Sequence, residues 1–176
     1  MKKLYFLRHF QTEVDPDTPV SEWTLSEEGK DQLQRFLESD LPEVDAILTS
    51  PEPKARNTAE KILEVTGREV VPMEELREVD RSRRGFIEDH TEYVETAREY
   101  LQNEKPKTAW EPKSKLRDRI NTFISKLDEM GYEKVMVVGH GLYFSVLLGD
   151  EPYFFWQELE FGELIEKEFE ELQQFK

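Results

Sequence analysis

The sequence predicts an α/β protein, namely a three-layer α/β/α sandwich around a mostly parallel central sheet. Short runs rich in apolar residues occupy residues 4–7, 44–49 and 134–138, and such runs are typical of strands buried on both faces. Stretches with helical apolar spacing alternate with these runs. An alternating order of strands and helices favours a parallel sheet covered by helices on both sides.

The first half of the chain shows clear start and stop signals. Ser26 can cap a helix that has acidic residues in its first turn, and Gly67 can end another helix in a left-handed conformation. Ser50-Pro51 interrupts the second apolar run. The predicted elements are a strand at 4–7, a helix from 26, a strand at 44–49, a helix from 53 to 66 and a strand at 69–73.

The second half continues the same order. Apolar residues at helical spacing predict a helix over 116–130, which Gly131 ends. The C-terminal stretch is ambiguous, because Phe161, Leu164 and Phe169 suit a helix while a strand around 159–167 also fits. The other predicted elements are an irregular segment at 76–86, a helix at 91–104, a surface crossover at 105–113, a strand at 134–138 and an apolar segment at 142–148.

Length and charge limit the function. A chain of 176 residues fits a single domain over residues 1–176, within which residues 87–113 are expected to form a lid or crossover insertion. A net charge of -15 argues against nucleic acid and anionic lipid as partners. The chain has no cysteine and no apolar run long enough for a membrane span, so we expect a cytoplasmic protein.

Three predicted strands end in polar residues, at Arg8-His9, Thr49-Ser50 and Gly139-His140-Gly141. The carboxyl ends of the strands carry the ligand site in open α/β sheets. A single histidine is more often structural than catalytic, but two histidines at one sheet edge reverse that preference. The glycines beside His140 permit close approach of a bulky substrate group. These residues therefore predict a site at this edge.

The cations near these ends favour an anionic ligand. Arg8 can hold a phosphate through two parallel hydrogen bonds and stays charged. Lys54 and Arg56 lie near the predicted start of the second helix, where backbone donors also favour anions. Two positions on a helix point in nearly opposite directions, so Lys54 and Arg56 cannot both reach one phosphate unless the first turn is irregular.

Five segments form a recognisable series. They are Leu7–Thr12 (Leu-Arg-His-Phe-Gln-Thr), Leu25–Gly29, Thr49–Glu60, Leu76–Glu78 and Val137–Gly141. Each resembles a motif of the histidine phosphatase superfamily, also called the phosphoglycerate mutase-like superfamily, and they occur in that family's order. The series lies within residues 4–149. The resemblance implies the family's α/β fold and its chemistry.

The resemblance implies a phosphatase that hydrolyses small phosphomonoesters through a phosphohistidine on His9, with no metal and no cofactor. Glu78 would be the acid/base, and His140 would stabilise the transferred group. The phosphate-binding residues would be Arg8, Gln11, Thr12, Lys54, Arg56 and Gly141. Alternatives remain open: a cofactor-dependent phosphoglycerate mutase, a phosphohistidine protein phosphatase, and a non-catalytic phosphate-binding module. A homodimer is also left open.

Two residues depart from the family pattern. Phe10 replaces a glycine after the nucleophilic histidine, and its side chain is expected to narrow the pocket or alter the turn. Lys54 stands where the family has a second phosphate-binding arginine, and lysine lacks the bidentate fork. Arg56, or one of the arginines at 81, 83 and 84, would then be the second phosphate-binding arginine beside Arg8.

Two further sets of residues invite interpretation. The aromatic cluster at 153–156 is expected to pack in the core, whereas Trp110 is a candidate contact over the site. A metalloenzyme is disfavoured, because the chain has three histidines and His90 is expected in a polar loop without recognisable ligand spacing.

Overall fold

The computed structural model describes residues 2–175 and contains one five-stranded sheet with the order β3-β2-β4-β1-β5. The strands are β1 (Lys3–Arg8), β2 (Ala46–Thr49), β3 (Glu69–Pro72), β4 (Lys134–Gly139) and β5 (Leu164–Glu168). The first four strands are parallel, and β5 pairs antiparallel with β1. The predicted mostly parallel sheet is confirmed.

Helices connect the parallel strands. They are α1 (Glu27–Leu37), α2 (Pro53–Thr66), α3 (His90–Gln102), α4 (Lys113–Glu129), α5 (Gly141–Leu148), α6 (Pro152–Glu158) and α7 (Phe169–Leu172). The side chain of Ser26 caps α1 by accepting a hydrogen bond from the amide of Gly29 at 3.0 Å. Gly67 ends α2 with a φ of 69°. Both predicted helix boundaries are confirmed. None of the helices within residues 2–175 is long and apolar enough to cross a membrane.

Side chains of each strand alternate between two apolar layers. In β2, Ile47 packs in the cluster that contains Ala55 and Ala59 of α2. Its neighbour Leu48 belongs to the larger cluster on the other face, with Ile120 of α4. Both layers exclude water from the sheet, which explains why the strands read as continuous apolar runs. The three-layer α/β/α sandwich is confirmed.

The C-terminal stretch resolves into a helix, a strand and a helix. The strand alternative applies to Leu164–Glu168, and Phe169 begins α7. Local pattern could not decide this, because β5 forms only through pairing with the outer side of β1, where Leu7 faces Leu164. A partner distant in sequence therefore overrides the local helical spacing.

The register of the sheet brings the predicted strand ends together. Arg8 of β1 lies beside Gly139 of β4, and Thr49 of β2 lies beside Val138. Parallel strands place their carboxyl ends on one edge, so His9, Ser50 and His140 leave the sheet at the same side.

Gly162 is expected to be irreplaceable for stability. Its φ is 72°, and a β-carbon at this position would lie 2.2 Å from the ring of Phe10. The Gly162→Ala substitution should therefore lower the free energy of unfolding by about 2 kcal/mol or more, since the left-handed conformation alone costs roughly 1–2 kcal/mol. Urea unfolding measures this change. Gly131→Ala is the matched control, because a β-carbon there meets no atom within 4 Å; equal losses in both variants would contradict the prediction.

Candidate active site

A cavity of about 410 Å³ opens at the carboxyl edge of the sheet. It combines residues from β1, the start of α2, the segment after β3 and the start of α5. The residues of this cavity that the sequence predicted are Arg8, His9, Thr12, Lys54, Glu78 and Gly141. These predicted residues bring an imidazole, two cations and a carboxylate to the cavity.

His9 is held in one tautomer. Its Nδ1 lies 2.7 Å from the carbonyl oxygen of Phe10, and a carbonyl can only accept, so Nδ1 carries the proton. The lone pair is therefore on Nε2. Burial is the main cause that lowers the pKa of His9 well below 6.5, and the nearby His140 adds to it. The ring is neutral near pH 7, as a nucleophile requires.

His140 packs against the ring of His9, with the ring centroids 5.2 Å apart and the planes at 65°. It is fully buried, behind the residues that line the cavity. Neither of its ring nitrogens has a hydrogen-bond partner among residues 2–175. Buried polar atoms without partners are costly, and they are often found where a ligand binds. Burial and the nearby Lys54 hold the pKa of His140 well below 6.5.

Arg8 crosses the start of α5. Its Nη1 donates to the carbonyl of Leu159, and its guanidinium lies 4.1 Å from the centre of the Phe161 ring. A β-carbon on Gly141 would come within 3.2 Å of that guanidinium, which is closer than an ordinary contact, so glycine favours this position of Arg8. The Nε of Arg8 is buried and has no partner in the described chain. One donor of Arg8 is thus available to an anion.

Phe10 points away from the cavity, so the expectation that it narrows the pocket is wrong. The side chain is buried with Leu25 and Leu33, and its ring lies 5.6 Å from that of Phe36. Gly162 supplies the space for it. The residue after His9 therefore anchors α1 to the sheet edge instead of contacting a ligand.

Lys54 reaches the cavity as a member of a buried ion pair. Its Nζ donates to Glu52 Oε2 and to the carbonyl of Val20, both at 2.7 Å. Glu52 also accepts from the amide of Glu78 at 2.9 Å and lies 3.9 Å from His140 Nε2. Burial lowers the pKa of Lys54, and the ion pair with Glu52 opposes this shift. Glu52 was not predicted, because nothing in the local sequence distinguishes it among 39 acidic residues.

Glu78 is fixed by the N-terminus of α5. Its Oε2 accepts from the amide of Leu142 at 3.0 Å, and its Oε1 accepts from the amides of Tyr143 and Val79, both at 2.9 Å. Burial raises the pKa of Glu78 above its usual value, against the opposing effects of Arg81 and the backbone donors. Oε2 accepts only one of these bonds, so it retains a position at which a proton can be held.

The segment that carries Glu78 is attached to α4 by one arginine. Arg119 forms two hydrogen bonds to the buried carboxylate of Glu111, at 2.9 and 2.7 Å. It also donates to the carbonyls of Glu75 and Arg77, at 2.7 and 2.9 Å. Bidentate arginine–carboxylate pairs are rigid, so this arrangement fixes the loop next to the site. No local pattern indicates this arrangement, because Arg119 lies more than 40 residues from the two carbonyls to which it donates.

Two predicted phosphate contacts lie outside the cavity. Arg56 faces solvent on α2, where it pairs with Glu60 at 2.8 Å, because a residue two positions from the inward-facing Lys54 points to the opposite side. The exposed side chain of Gln11 faces Ser26, at 3.4 Å, instead of the cavity. Both assignments are corrected on this ground. Thr12 does line the cavity.

Arg81 is the arginine that joins the cavity, whereas the exposed Arg83 and Arg84 do not line it. Its guanidinium lies 5.8 Å from the ring centre of Tyr93 and 5.7 Å from that of Trp110. The sequence analysis predicted that one of three arginines, at 81, 83 and 84, could contact the phosphate, but the local pattern does not distinguish them. Only the path of the loop after β3 decides which arginine turns inward.

Residues 87–113 border the cavity through α3 and the loop before α4. Ile87, Tyr93 and Trp110 line it, and His90 begins α3 instead of lying in a loop. Trp110 is buried in the wall, and a lid role for this stretch stays a prediction.

In the aromatic cluster at 153–156, Tyr153 is buried as predicted, but Trp156 lines the cavity. Within residues 2–175, no three histidine, aspartate or glutamate side chains are grouped so that they could hold a metal ion.

The buried ion pair of Lys54 and Glu52 allows a test of whether Lys54 or Arg56 binds phosphate. Replacing Lys54 with methionine leaves Glu52 buried and unpaired, so we expect a loss of about 3–5 kcal/mol in the free energy of unfolding. Arg56→Ala, on the exposed face of the same helix, should cost less than about 0.5 kcal/mol. Urea unfolding and titration with inorganic phosphate measure both variants. A larger loss of phosphate affinity in Arg56→Ala than in Lys54→Met would contradict the placement.

The fold and this edge define a class of α/β proteins in which a histidine pair and buried cations meet at the carboxyl ends of parallel strands. The chain belongs to the histidine phosphatase superfamily (branch 1), whose family model matches residues 4–157. No curated protein sequence matches this chain.

Solved structures share the fold. The YhfR protein of Bacillus stearothermophilus is 21% identical, with a TM-score of 0.76 over 96% of this chain and 91% of the other. The phosphoserine phosphatase of Entamoeba histolytica is 19% identical, with a TM-score of 0.71 over 94% and 90%. The alpha-ribazole phosphatase of Shigella flexneri is 21% identical, with a TM-score of 0.68 over 93% and 89%.

Proposed function

We propose that this protein is a metal-independent phosphatase that hydrolyses small phosphomonoesters through a phosphohistidine on His9. One observation carries the proposal: buried donors without partners, at Arg8 Nε and the ring of His140, adjoin a neutral histidine whose Nε2 is free. A dianionic phosphoryl group would satisfy these donors and place phosphorus before Nε2. Two of the structural relatives are named as phosphatases of small phosphorylated molecules, which agrees with this assignment.

The first half-reaction transfers the phosphoryl group. The Nε2 lone pair of His9 attacks phosphorus in line as the bond to the ester oxygen breaks. Protonated Glu78 gives its proton to that oxygen, so the alcohol leaves neutral. Arg8, Lys54 and His140 stabilise the charge on the transferred oxygens, with Thr12 and the backbone at Gly141 next to them.

The second half-reaction releases phosphate. Glu78, now ionised, accepts a proton from a water that attacks phosphorus, and the bond to His9 Nε2 breaks. The hydrogen bond from Nδ1 to the Phe10 carbonyl keeps the same tautomer throughout. Both proton transfers thus use one carboxyl group in alternating states.

A direct assay tests the function. Purified protein should release inorganic phosphate from 4-nitrophenyl phosphate, with unchanged rate after treatment with a chelator. Incubation with 3-phosphoglycerate and a bisphosphoglycerate primer distinguishes hydrolysis from mutase activity. Isomerisation without phosphate release would establish the mutase. Vanadate binding without turnover of any phosphoester would indicate the non-catalytic alternative.

The pH dependence of kcat/KM follows from the pKa values of His9 and Glu78, which burial shifts in opposite directions. Burial lowers the pKa of His9, so the acid limb of kcat/KM should lie below pH 6.5. Burial raises the pKa of Glu78, and the catalytic acid is lost as pH rises through that value. We expect an optimum on the acid side of neutrality for esters of poor leaving groups. In Glu78→Gln the decrease of kcat/KM at alkaline pH should disappear. The ionisation of the substrate, at about pH 6, affects the variant and the unmodified protein alike. An unchanged alkaline limb in this variant would contradict the role of Glu78.

A further inference from the structure

Aromatic rings line much of the cavity. The aromatic residues other than histidine that line it are Trp23, Phe86, Tyr93, Trp110, Trp156 and Phe161. They include all three tryptophans of the chain. The six residues come from four stretches of the chain, around residue 23, at 86–93, around 110 and at 156–161, and the fold brings these stretches together.

These rings form two groups with free surface. Trp23 and Phe86 pack edge-on, with ring centres 5.4 Å apart, and Tyr93 and Trp156 pack in the same way at 5.8 Å. All four are only partly buried. Rings that keep exposed surface inside a cavity offer faces and edges for a further ring. The geometry therefore fits a planar group.

The charges of the cavity divide between the histidine pair and the rings. Arg8 precedes His9, and Lys54 pairs with Glu52, which lies 3.9 Å from His140 Nε2. Arg81 lies instead against the rings of Tyr93 and Trp110. Apart from Glu78, the one further charged lining residue in the described part of the chain is the carboxylate of Glu88.

We propose that the substrate is a phosphomonoester whose leaving group carries a planar aromatic ring. The inference rests on the proposed function, because it places the phosphoryl group at His9. The phosphorus–oxygen bond of the ester breaks as the bond to His9 Nε2 forms. Glu78 protonates the ester oxygen, and the aromatic alcohol leaves toward the ring-lined part of the cavity.

A matched pair of substrates tests this directly. Adenosine 5′-monophosphate and ribose 5-phosphate present the same primary ester and differ in the aromatic base. Stacking of one base on protein rings is worth about 1–3 kcal/mol, so kcat/KM should favour the nucleotide by about tenfold or more. A ratio of one or below would overturn the proposal.

A second pair separates aromatic from merely apolar recognition. Benzyl phosphate and cyclohexylmethyl phosphate have similar size and the same type of scissile bond. Contacts between rings add about 0.5–1.5 kcal/mol beyond apolar burial, which predicts a roughly twofold or greater preference for benzyl phosphate. Equal kcat/KM for the two esters would overturn the aromatic assignment.

Variants locate the effect. Trp23→Leu and Trp156→Leu should each reduce the ratio of nucleotide to ribose 5-phosphate kcat/KM by at least about threefold. Phe154→Leu is the matched control, because Phe154 lies in the same helix as Trp156, is 53% exposed and does not line this cavity. Its ratio should equal that of the unmodified protein. A ratio unchanged in both tryptophan variants would overturn the inference.

Binding separates this inference from the function on which it rests. In His9→Ala, calorimetric titration with the same pair measures recognition without turnover, and tighter binding of the nucleotide supports the inference. If the unmodified protein hydrolyses neither these two esters nor 4-nitrophenyl phosphate, the proposed function fails, and this titration still decides the ligand class. Equal or weaker nucleotide binding overturns the inference alone.

Discussion

Replacing His9 with alanine is expected to abolish turnover of every phosphomonoester, with a loss of at least about 10⁴-fold in kcat. The imidazole is the only side chain in the mechanism that bonds to phosphorus, so its loss removes the covalent intermediate. Rapid quenching with ³²P-labelled substrate should trap an acid-labile phosphoenzyme in the unmodified protein and none in the variant.

His90→Ala is the control for this experiment. His90 also lines the cavity, but it is exposed at the start of α3. The phosphoenzyme should still form in this variant. Full activity of His9→Ala, or a phosphoenzyme that persists in it, would show that His9 is not the nucleophile.

Replacing Glu78 with glutamine is expected to separate substrates by their leaving groups. Proton donation is worth about 10²–10⁴-fold when the leaving oxygen is a poor one. The variant should therefore lose activity in that range toward an alkyl phosphate, and far less toward 4-nitrophenyl phosphate, whose phenolate leaves without a proton. Measuring formation of the phosphoenzyme in single-turnover experiments isolates this step.

A matched control is available next to the site. Glu88→Gln changes another carboxylate of the same cavity, which within residues 2–175 accepts no backbone hydrogen bond of the kind that fixes Glu78. This substitution should lower the activity toward both substrates equally or leave it unchanged. A uniform loss in Glu78→Gln would assign Glu78 a positioning role in place of proton donation.

Local sequence patterns were sufficient to predict most strands and helices of the fold. The runs within β1, β2 and β4 are apolar because helices cover both faces of the sheet, so burial on both faces produces a continuous apolar pattern in the sequence. Helix boundaries at Ser26 and Gly67 follow from capping chemistry, which is also local. The edge strand β5 has no such local determinant, since it depends on pairing with β1.

The candidate site divides in the same way. Arg8, His9 and His140 could be predicted because a parallel sheet collects the carboxyl ends of its strands. Gln11 was assigned to the site because it lies in the motif around His9, and Arg56 because it is a cation near the start of α2, but side-chain direction places both elsewhere. Proximity along a chain does not fix the side on which a residue points.

The sequence by itself determined the sandwich fold, the family and the histidine pair at the sheet edge, because these depend on periodicity and on short motifs. Only the tertiary structure decided how Lys54 is compensated by Glu52, which of three arginines enters the cavity, and that all three tryptophans meet there. These features join residues that are far apart or indistinguishable in composition. Their arrangement depends on how loops cross the sheet edge, and no local pattern encodes that path.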